Sequence, residues 1–450
     1  RRTAVAAAAP LAVACTALIG DYEPDLETVD SAPLCAVERD AFAFEIDLES
    51  NSNRGDIAAY YEAENPGFVA RLAQVRESFL EGSADRGVTY LMGAAGVGKS
   101  FILDNTVGAF PDAERCEVEI GEWYGEKSAS LPYAVTRAAD LAALDGDPVF
   151  NELATHEGTF SLTGLLEAAG CIVDGALVPL VVIDGIDEIH DAAATQILDA
   201  VDELVLDNDA DGFVHFVVAG RPEGFWSWLT APERTSANAD IVERFDLVPP
   251  RYETAGDLEY RLRGYLDFSG QLDALEASGE LEDYIRSFTD AVVRHPFLTY
   301  STGNLALGNV VIEQTTPGLN QSEAELKAGL FDDLLQRNAE THGRPGNGEA
   351  LEGAYRRALE EVAALYADQV DESGVFTTRS EDVVPIIDDD GVNLGEVRAR
   401  DLLNRSGVAL LVSATTRTHR HRFEPFWLHG YLVERYNARR YPGYEFRGCE

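Results

Sequence analysis

One glycine-rich turn between an apolar run and a helical run constrains this chain more than any other stretch. Val88 to Met92 form a short apolar run, and LMGAAGVGKSFIL spans Leu91 to Leu103 with the spacing G-x-x-x-x-G-K-S. A buried strand here must deliver the backbone to a tight turn in which successive N–H groups face one point. Glycines at 93, 96 and 98 permit that turn and let an anion approach the backbone closely. A helix starting near Lys99 aims its unpaired amides and positive dipole end at the same anion. Gly93, Ala94, Ala95, Gly96, Val97, Gly98, Lys99, Ser100 and Phe101 are therefore the candidate phosphate cradle. Lys99 is placed to reach β- and γ-phosphates, and the Ser100 hydroxyl to ligate Mg²⁺.

Such a loop works with a carboxylate at the end of a neighbouring strand. VPLVVI, residues 178–183, is a solidly apolar run, and Asp184 ends it. A charge ending a buried strand needs a partner, so Asp184 is the expected holder of Mg²⁺ through water. Asp187 and Glu188 follow within one turn. Glu188 is the first choice, and Asp187 the second, to orient the attacking water or accept its proton. The plain alternative is a pair of helix caps favoured by the dipole. The next apolar run, FVHFVVA at 213–219, leads to Gly220 and Arg221. A cation there would sit near the γ-phosphate and report its loss; otherwise Arg221 is a surface arginine.

At 450 residues the chain exceeds one ordinary core. Strand-like stretches at Val88–Met92, Cys116–Ile120, 178–183 and 213–219 alternate with helical stretches, which predicts a parallel α/β sheet. From Tyr60 to Leu80 the apolar spacing is helical. After about Phe245 the pattern turns helical throughout, in LEYRLRGYL, LEDYIRSF and ELKAGLFDDLLQR. NAETHGRPGNGEA, residues 338–350, is a glycine-rich break. A long helix from about Ala350 to Asp368 follows. Strand-like runs at Val408–Val412 and Arg420–Phe423 and a last helix from Phe426 to Tyr436 suit a winged helix. The expected organisation is an N-terminal segment and linker (1–60), a P-loop NTPase domain (61–245), a helical domain (246–345) and a winged-helix domain (346–450). The fold class is α/β, a parallel sheet flanked by helices.

The formal net charge is −44, from 79 acidic and 35 basic residues, and only Lys99, Lys127 and Lys327 are lysines. That balance disfavours generic attraction to nucleic acid. It fits a protein hydrated in concentrated salt, a halophilic source, or else a GC-rich genome. The five cysteines are odd in number with no C-x-x-C pair, which fits a reducing cytosol. No uninterrupted run reaches membrane-spanning length. The opening RRTAVAAAAPLAVACTALIG imitates a secretion leader, but a site of this kind needs intracellular nucleotide, so a cytoplasmic location is expected.

The loop, VVIDGIDE and FVVAGRPEGF together resemble the NACHT-type branch of the STAND nucleotide-switch ATPases. Phe68-Val69-Ala70-Arg71 is similar to that family's F-V-G-R segment, with Ala70 where the family has glycine. Phe245-Asp246-Leu247 with Asp257, Leu258 and Tyr260 resembles its entry to the helical domain. His295-Pro296-Phe297-Leu298 and Ser301-Thr302-Gly303-Asn304-Leu305 resemble the helical segment that closes on the base, and RFEPFWLHGYL resembles its winged-helix pattern. The resemblance covers roughly residues 65 to 437. It implies ATP and ADP with Mg²⁺, slow hydrolysis, Arg71 and Pro296 near the adenine, homo-oligomerisation on activation, and protein partners as trigger or effector, in defence or stress signalling. Pro425 stands where the family places a histidine on the ADP β-phosphate, and neither His421 nor His429 aligns with it. His429 then reads as a helix-surface residue. Two other readings are open: an initiator-type AAA+ ATPase holding DNA through its winged helix with the basic turn TRTHRHR (416–422), and a non-hydrolysing scaffold.

Overall fold

The computed structural model describes residues 46–48, 50, 56–81, 87–107, 110, 115–119, 172–173, 176–177, 180–188, positions 194, 197–199, 201–202 and 205, and then 214–225, 242–319, 321–341, 348–387, 391, 393–415 and 417–441. Two helices open the described chain. The helix expected over 60–80 is broken in two, α1 (Ile57–Glu64) and α2 (Pro66–Leu80). Asn65 makes the break. Its side-chain amide donates to the Tyr61 and Val248 carbonyls, and its oxygen accepts from the Val248 amide. Pro66 then starts the second helix, where its missing N–H costs nothing.

Five strands follow: β1 (Gly87–Met92), β2 (Arg115–Glu119), β3 (Leu180–Asp184), β4 (His215–Gly220) and β5 (Val242–Asp246). They form one parallel sheet in the order β2-β3-β4-β1-β5. β1 and β4 are buried at every residue, as largely apolar runs require of strands covered on both faces, and the two polar residues, Thr89 and His215, bond each other at 2.9 Å. Helix α3 (Lys99–Val107) leaves the turn after β1. The chain after β1 crosses past β4 and β3, whereas β5 returns to the other side of β1. The carboxyl ends of β1 and β4 thus flank the point where strand order reverses, the place where open α/β sheets bind ligands. β5 was not foreseen. It runs through the boundary expected at 245, because Val242 to Asp246 pair with Val88 to Met92. The boundary expected at 60 likewise falls inside α1, and that at 345 lies outside the described residues.

The helical run after the sheet comprises α4 (Ala255–Phe268), α5 (Leu272–Ser278), α6 (Leu281–Arg294), α7 (Phe297–Gly303), α8 (Leu305–Gln314) and α9 (Glu323–Thr341). A capping box starts α4: the Thr254 side chain accepts from the Asp257 amide, and Asp257 accepts from the Thr254 and Glu253 amides. The Tyr60 hydroxyl donates to the other Asp257 oxygen at 2.5 Å, so α1 is tied to this cap. Arg261, fully buried, holds α4 on α8 through the Leu305 carbonyl (3.0 Å) and the Asn309 side chain (2.7 Å).

The C-terminal unit begins with α10 (Gly348–Leu365). Strand β6 (Val375–Arg379), the hairpin β7 (Val383–Ile387) and β8 (Asn393–Arg398), helix α11 (Ala399–Ser406), strands β9 (Ala409–Ala414) and β10 (Thr418–Phe423), and helix α12 (Trp427–Arg440) complete it. β9, β10 and β6 form an antiparallel sheet in that order. β6 and the β7–β8 hairpin were not foreseen; β7 alternates exposed and buried residues and carries a proline, so its apolar signal is weak. His429 is not on the surface. It lies buried against the rings of Phe376 and Phe423, and its Nε2 bonds the Ala363 carbonyl at 3.0 Å. No helix among the described residues is long and apolar enough to cross a membrane.

Helix α7 is pinned by a backbone approach. A Cβ on Gly303 would meet the Pro250 carbonyl oxygen at 2.1 Å, and backbone cannot swing aside as a side chain would. Gly303→Ala is therefore expected to destabilise the protein by about 1–3 kcal/mol through overpacking. A lowered unfolding temperature in calorimetry checks this.

Candidate functional site

The loop from Gly93 to Ser100 sits at the carboxyl end of β1. Its Gly93 amide bonds the Gly220 carbonyl at the end of β4. Gly96 and Gly98 take positive φ (67° and 100°), the conformation glycine adopts without strain. A Cβ at Gly98 would also lie 2.2 Å from the Tyr61 hydroxyl, and one at Gly96 would lie 2.5 Å from the Ala306 Cβ.

Every carbonyl from Gly93 to Val97 has a hydrogen-bond partner, and those of Ala95, Gly96 and Val97 are held from outside the loop. Lys99 Nζ donates to Gly93 O (3.1 Å) and Ala94 O (3.2 Å). The Asn304 side-chain amide donates to Ala95 O (3.1 Å), the Ala306 amide to Gly96 O (3.1 Å), and the Tyr61 hydroxyl to Val97 O (2.5 Å). A peptide unit is planar, with its carbonyl opposed to the following N–H. Anchoring the carbonyls of Ala94, Ala95 and Val97 therefore aims the amides of Ala95, Gly96 and Gly98 the other way. Those three amides make no hydrogen bond among the described residues. Together with the start of α3, which carries Lys99 and the exposed Ser100, they form a concave set of donors, the chemistry an anion requires. Burial pushes the Tyr61 phenol well above its ordinary range, so it remains a donor at any working pH.

Across the crevice, Asp184 ends β3 half-buried, with Oδ1 accepting from the Gly185 amide at 2.8 Å. Ile186–Glu188 form a single 3-10 turn. The Glu188 side chain, first choice for the base, lies outside the described side chains. The structure pairs two other expected residues with one another. Arg221 Nε donates to Asp187 Oδ2 at 2.6 Å and the Arg221 amide donates to Oδ1 at 2.8 Å, with the two side chains only 6% and 9% exposed. Burial alone would raise the Asp187 carboxyl. The charges of Arg221 and then Lys99 outweigh it, bringing the group down from 3.8 to about 2. Asp187 is thus an ionised anchor for Arg221 in this arrangement, and the influence of Lys99 on it links the two walls of the crevice.

Arg71 turns to the edge strand, where Nε stands 3.1 Å from Glu243. Pro296 is exposed at the start of α7, whereas Asn304, at the other end of that helix, reaches the loop. Seven residues of helix separate them, about 10 Å of axial rise. Phe101 is half-buried against the Tyr61 ring. Sequence reasoning missed Tyr61 and Ala306. Tyr61 carried only the signal of one more apolar helix position, and Ala306 acts through its backbone.

The basic turn resolves differently from its sequence. His419 and His421 point inward, and burial above all lowers them to about 4 and about 3, so both are neutral at pH 7. Arg420 pairs with Asp371 (3.1 Å) and Arg422 with Glu424 (3.2 Å).

Neither a family model nor a curated protein matches the chain. Among solved structures it is similar to the Orc1 protein of Aeropyrum pernix in complex with DNA, at 13% identity over 83% of this chain and 92% of that one, with a TM-score of 0.27. So loose a superposition transfers nothing from that protein to this one. The parallel sheet, its strand order and the donor-lined loop at the end of β1 make this an α/β fold of the P-loop NTPase kind.

The Asp187–Arg221 pair yields a test. Asp187→Asn removes the carboxylate that faces a buried guanidinium, an expected cost of about 3 kcal/mol at pH 7. The folded carboxyl is depressed, so its stabilisation is complete above pH 3.8 and is lost as pH falls through about 2. The gap between wild type and variant in urea unfolding is expected to shrink from pH 5 to pH 2.

Proposed function

We propose that this chain is an ATP-binding, slowly hydrolysing conformational switch of the NACHT type within the STAND class, acting in the cytoplasm. The observation that carries the reading is the anchored loop. Its amides turn away from the carbonyl partners, while the carbonyls of Ala95 and Gly96 are held by the junction of helices α7 and α8. ATP and ADP differ at the γ-phosphate, so they would make different contacts with Lys99 and with the crevice wall that carries Arg221, and would bias the elements touching the loop. In this reading Ser100 and Asp184 hold Mg²⁺, which neutralises charge on the β- and γ-phosphates. Glu188 orients the attacking water. Arg221, kept in place by Asp187, registers the γ-phosphate, and its loss would loosen that pair. The strands β6, β9 and β10 with α11 are read as a winged helix carrying the β7–β8 hairpin as an insertion. Oligomerisation on activation and a protein trigger or effector belong to the same proposal.

Initiator-type DNA binding is the competing reading. Its basic turn is largely neutralised by Asp371, Glu424 and the inward histidines. The net charge of −44 also opposes a polyanion. Phosphate contacts would give affinity that falls steeply with salt. No measurable binding of duplex DNA at low salt is the outcome expected here.

Titration with a fluorescent ATP analogue and Mg²⁺ tests the main reading. Lys99→Ala is expected to weaken binding at least about tenfold, the loss of a charge-assisted contact. Asp184→Asn is expected to remove the Mg²⁺ dependence, and Glu188→Gln to retain binding while phosphate release falls at least about tenfold. Phosphate release unchanged in Glu188→Gln would favour a non-hydrolysing module.

A further inference from the structure

We infer that Asn304 and helix α7 form a relay tying the shape of the phosphate loop to the seating of the C-terminal unit, with Asn304 as its positioning residue. The inference rests on the switch reading above and names the route by which the loop would be read.

At the loop end, the orientation of Asn304 is determined by its own helix. Asn304 caps α8, and its Oδ1 accepts from the Ala306 amide (3.1 Å) and the Leu307 amide (3.0 Å). The oxygen is thereby committed, and Nδ2 must be the atom that meets Ala95 O. Since Ala95 O and the Gly96 amide share one planar unit, Asn304 sets the aim of a phosphate-facing amide. The Ala306 amide, shared between Asn304 Oδ1 and Gly96 O, adds a second tie.

At the far end, the same helix carries the C-terminal unit. Trp427 Nε1 donates to Ser301 Oγ at 3.0 Å, and the Tyr300 hydroxyl donates to the buried Glu424. The ring of Phe297 meets Trp427 edge-on at 5.4 Å, and Tyr300 meets Phe426 at 5.5 Å. Between the ends, Gly303 lies against the Pro250 backbone, so α7 cannot drift sideways without losing one set of contacts.

The cap and the loop bond are separable by chemistry. Asn304→Asp keeps an oxygen for the cap, where aspartate serves as well as asparagine, but has no donor for Ala95 O and sets a carboxylate against that carbonyl. A merely structural cap would tolerate it. The full chain labelled with fluorotryptophan holds four reporters, and Trp427→Phe identifies the fluorine resonance of Trp427. ADP and ATP with Mg²⁺ are added while a fluorescent analogue measures affinity separately. In the wild type the Trp427 resonance is expected to move on nucleotide binding. In Asn304→Asp the unfolding temperature is expected to hold, the affinity to fall at least about tenfold, and the Trp427 resonance to stop following the nucleotide. Ser301→Ala, which cuts only the far end, is expected to keep nucleotide binding while weakening the Trp427 response. A wild-type Trp427 resonance that ignores bound nucleotide overturns the relay and leaves the nucleotide site standing. So does an Asn304→Asp protein that binds and responds as the wild type does. Absence of nucleotide binding in the wild type overturns the switch reading and the relay with it.

Discussion

The arrangement depends on where five consecutive carbonyl oxygens go. A turn that points its amides at one spot must point its carbonyls away, and a carbonyl without a partner is costly where water is excluded. This chain supplies a partner for each: Lys99 for Gly93 and Ala94, Asn304 for Ala95, the Ala306 amide for Gly96 and Tyr61 for Val97. The partners come from α1, α3 and the start of α8, which stretch in sequence from Tyr61 to Ala306. The loop is therefore not a property of its own eight residues. Its shape is completed only when the sheet, the leading helices and the helical run have assembled, so the loop and the contacts between these elements cannot be separated.

Electrostatics sharpen the same point. A chain with a formal charge of −44 repels an anion at long range, particularly at low salt. Any phosphate site must then win at short range, through backbone donors, one helix end and one lysine. Arg221, the other cation at the crevice, is already spoken for by Asp187. A pair this buried is held by hydrogen bonds as well as charge, since a buried charge without a partner is strongly unfavourable. Its role is to keep a guanidinium in one place rather than to strengthen the fold.

Much of the sheet was legible in the sequence because its strands are covered on both faces. Val88 to Met92, 178–183 and 213–219 are largely apolar runs, interrupted only by Thr89 and His215, and the structure places strands within a residue or two of each. β5 was not legible. It is an edge strand reading VERFD, with charges at three of five positions, so nothing in its composition separates it from the helical run beyond. The same holds for β7 and β8, which are half-exposed. At the candidate site, the glycines, Lys99, Asp184 and the Asp187–Arg221 neighbourhood could be picked out from spacing, since the sequence motif names those residue types. Tyr61 and Ala306 could not, because one contributes a hydroxyl from an apolar helix face and the other only its backbone. Histidines were misjudged for a related reason. His419 and His421 beside arginines read as a basic patch, but strand alternation sends both inward while the arginines face out.

The short length of α7 decides how the two ends of the molecule can influence each other. Seven residues make too few internal hydrogen bonds to hold a helix alone in water. Its conformation is imposed by the Pro250 backbone, by the cap at Asn304 and by the aromatic contacts of Phe297 and Tyr300. An element whose geometry is borrowed from its neighbours responds when either neighbour changes. The peptide units after Ala95 and Gly96 are shared in the same sense, with their carbonyl faces held by the α7–α8 junction and their N–H faces turned from it. Under the proposed relay, a bound phosphate that prefers one orientation of those units would also bias α7, and by linkage the seating of Trp427 would in return alter the affinity for that phosphate.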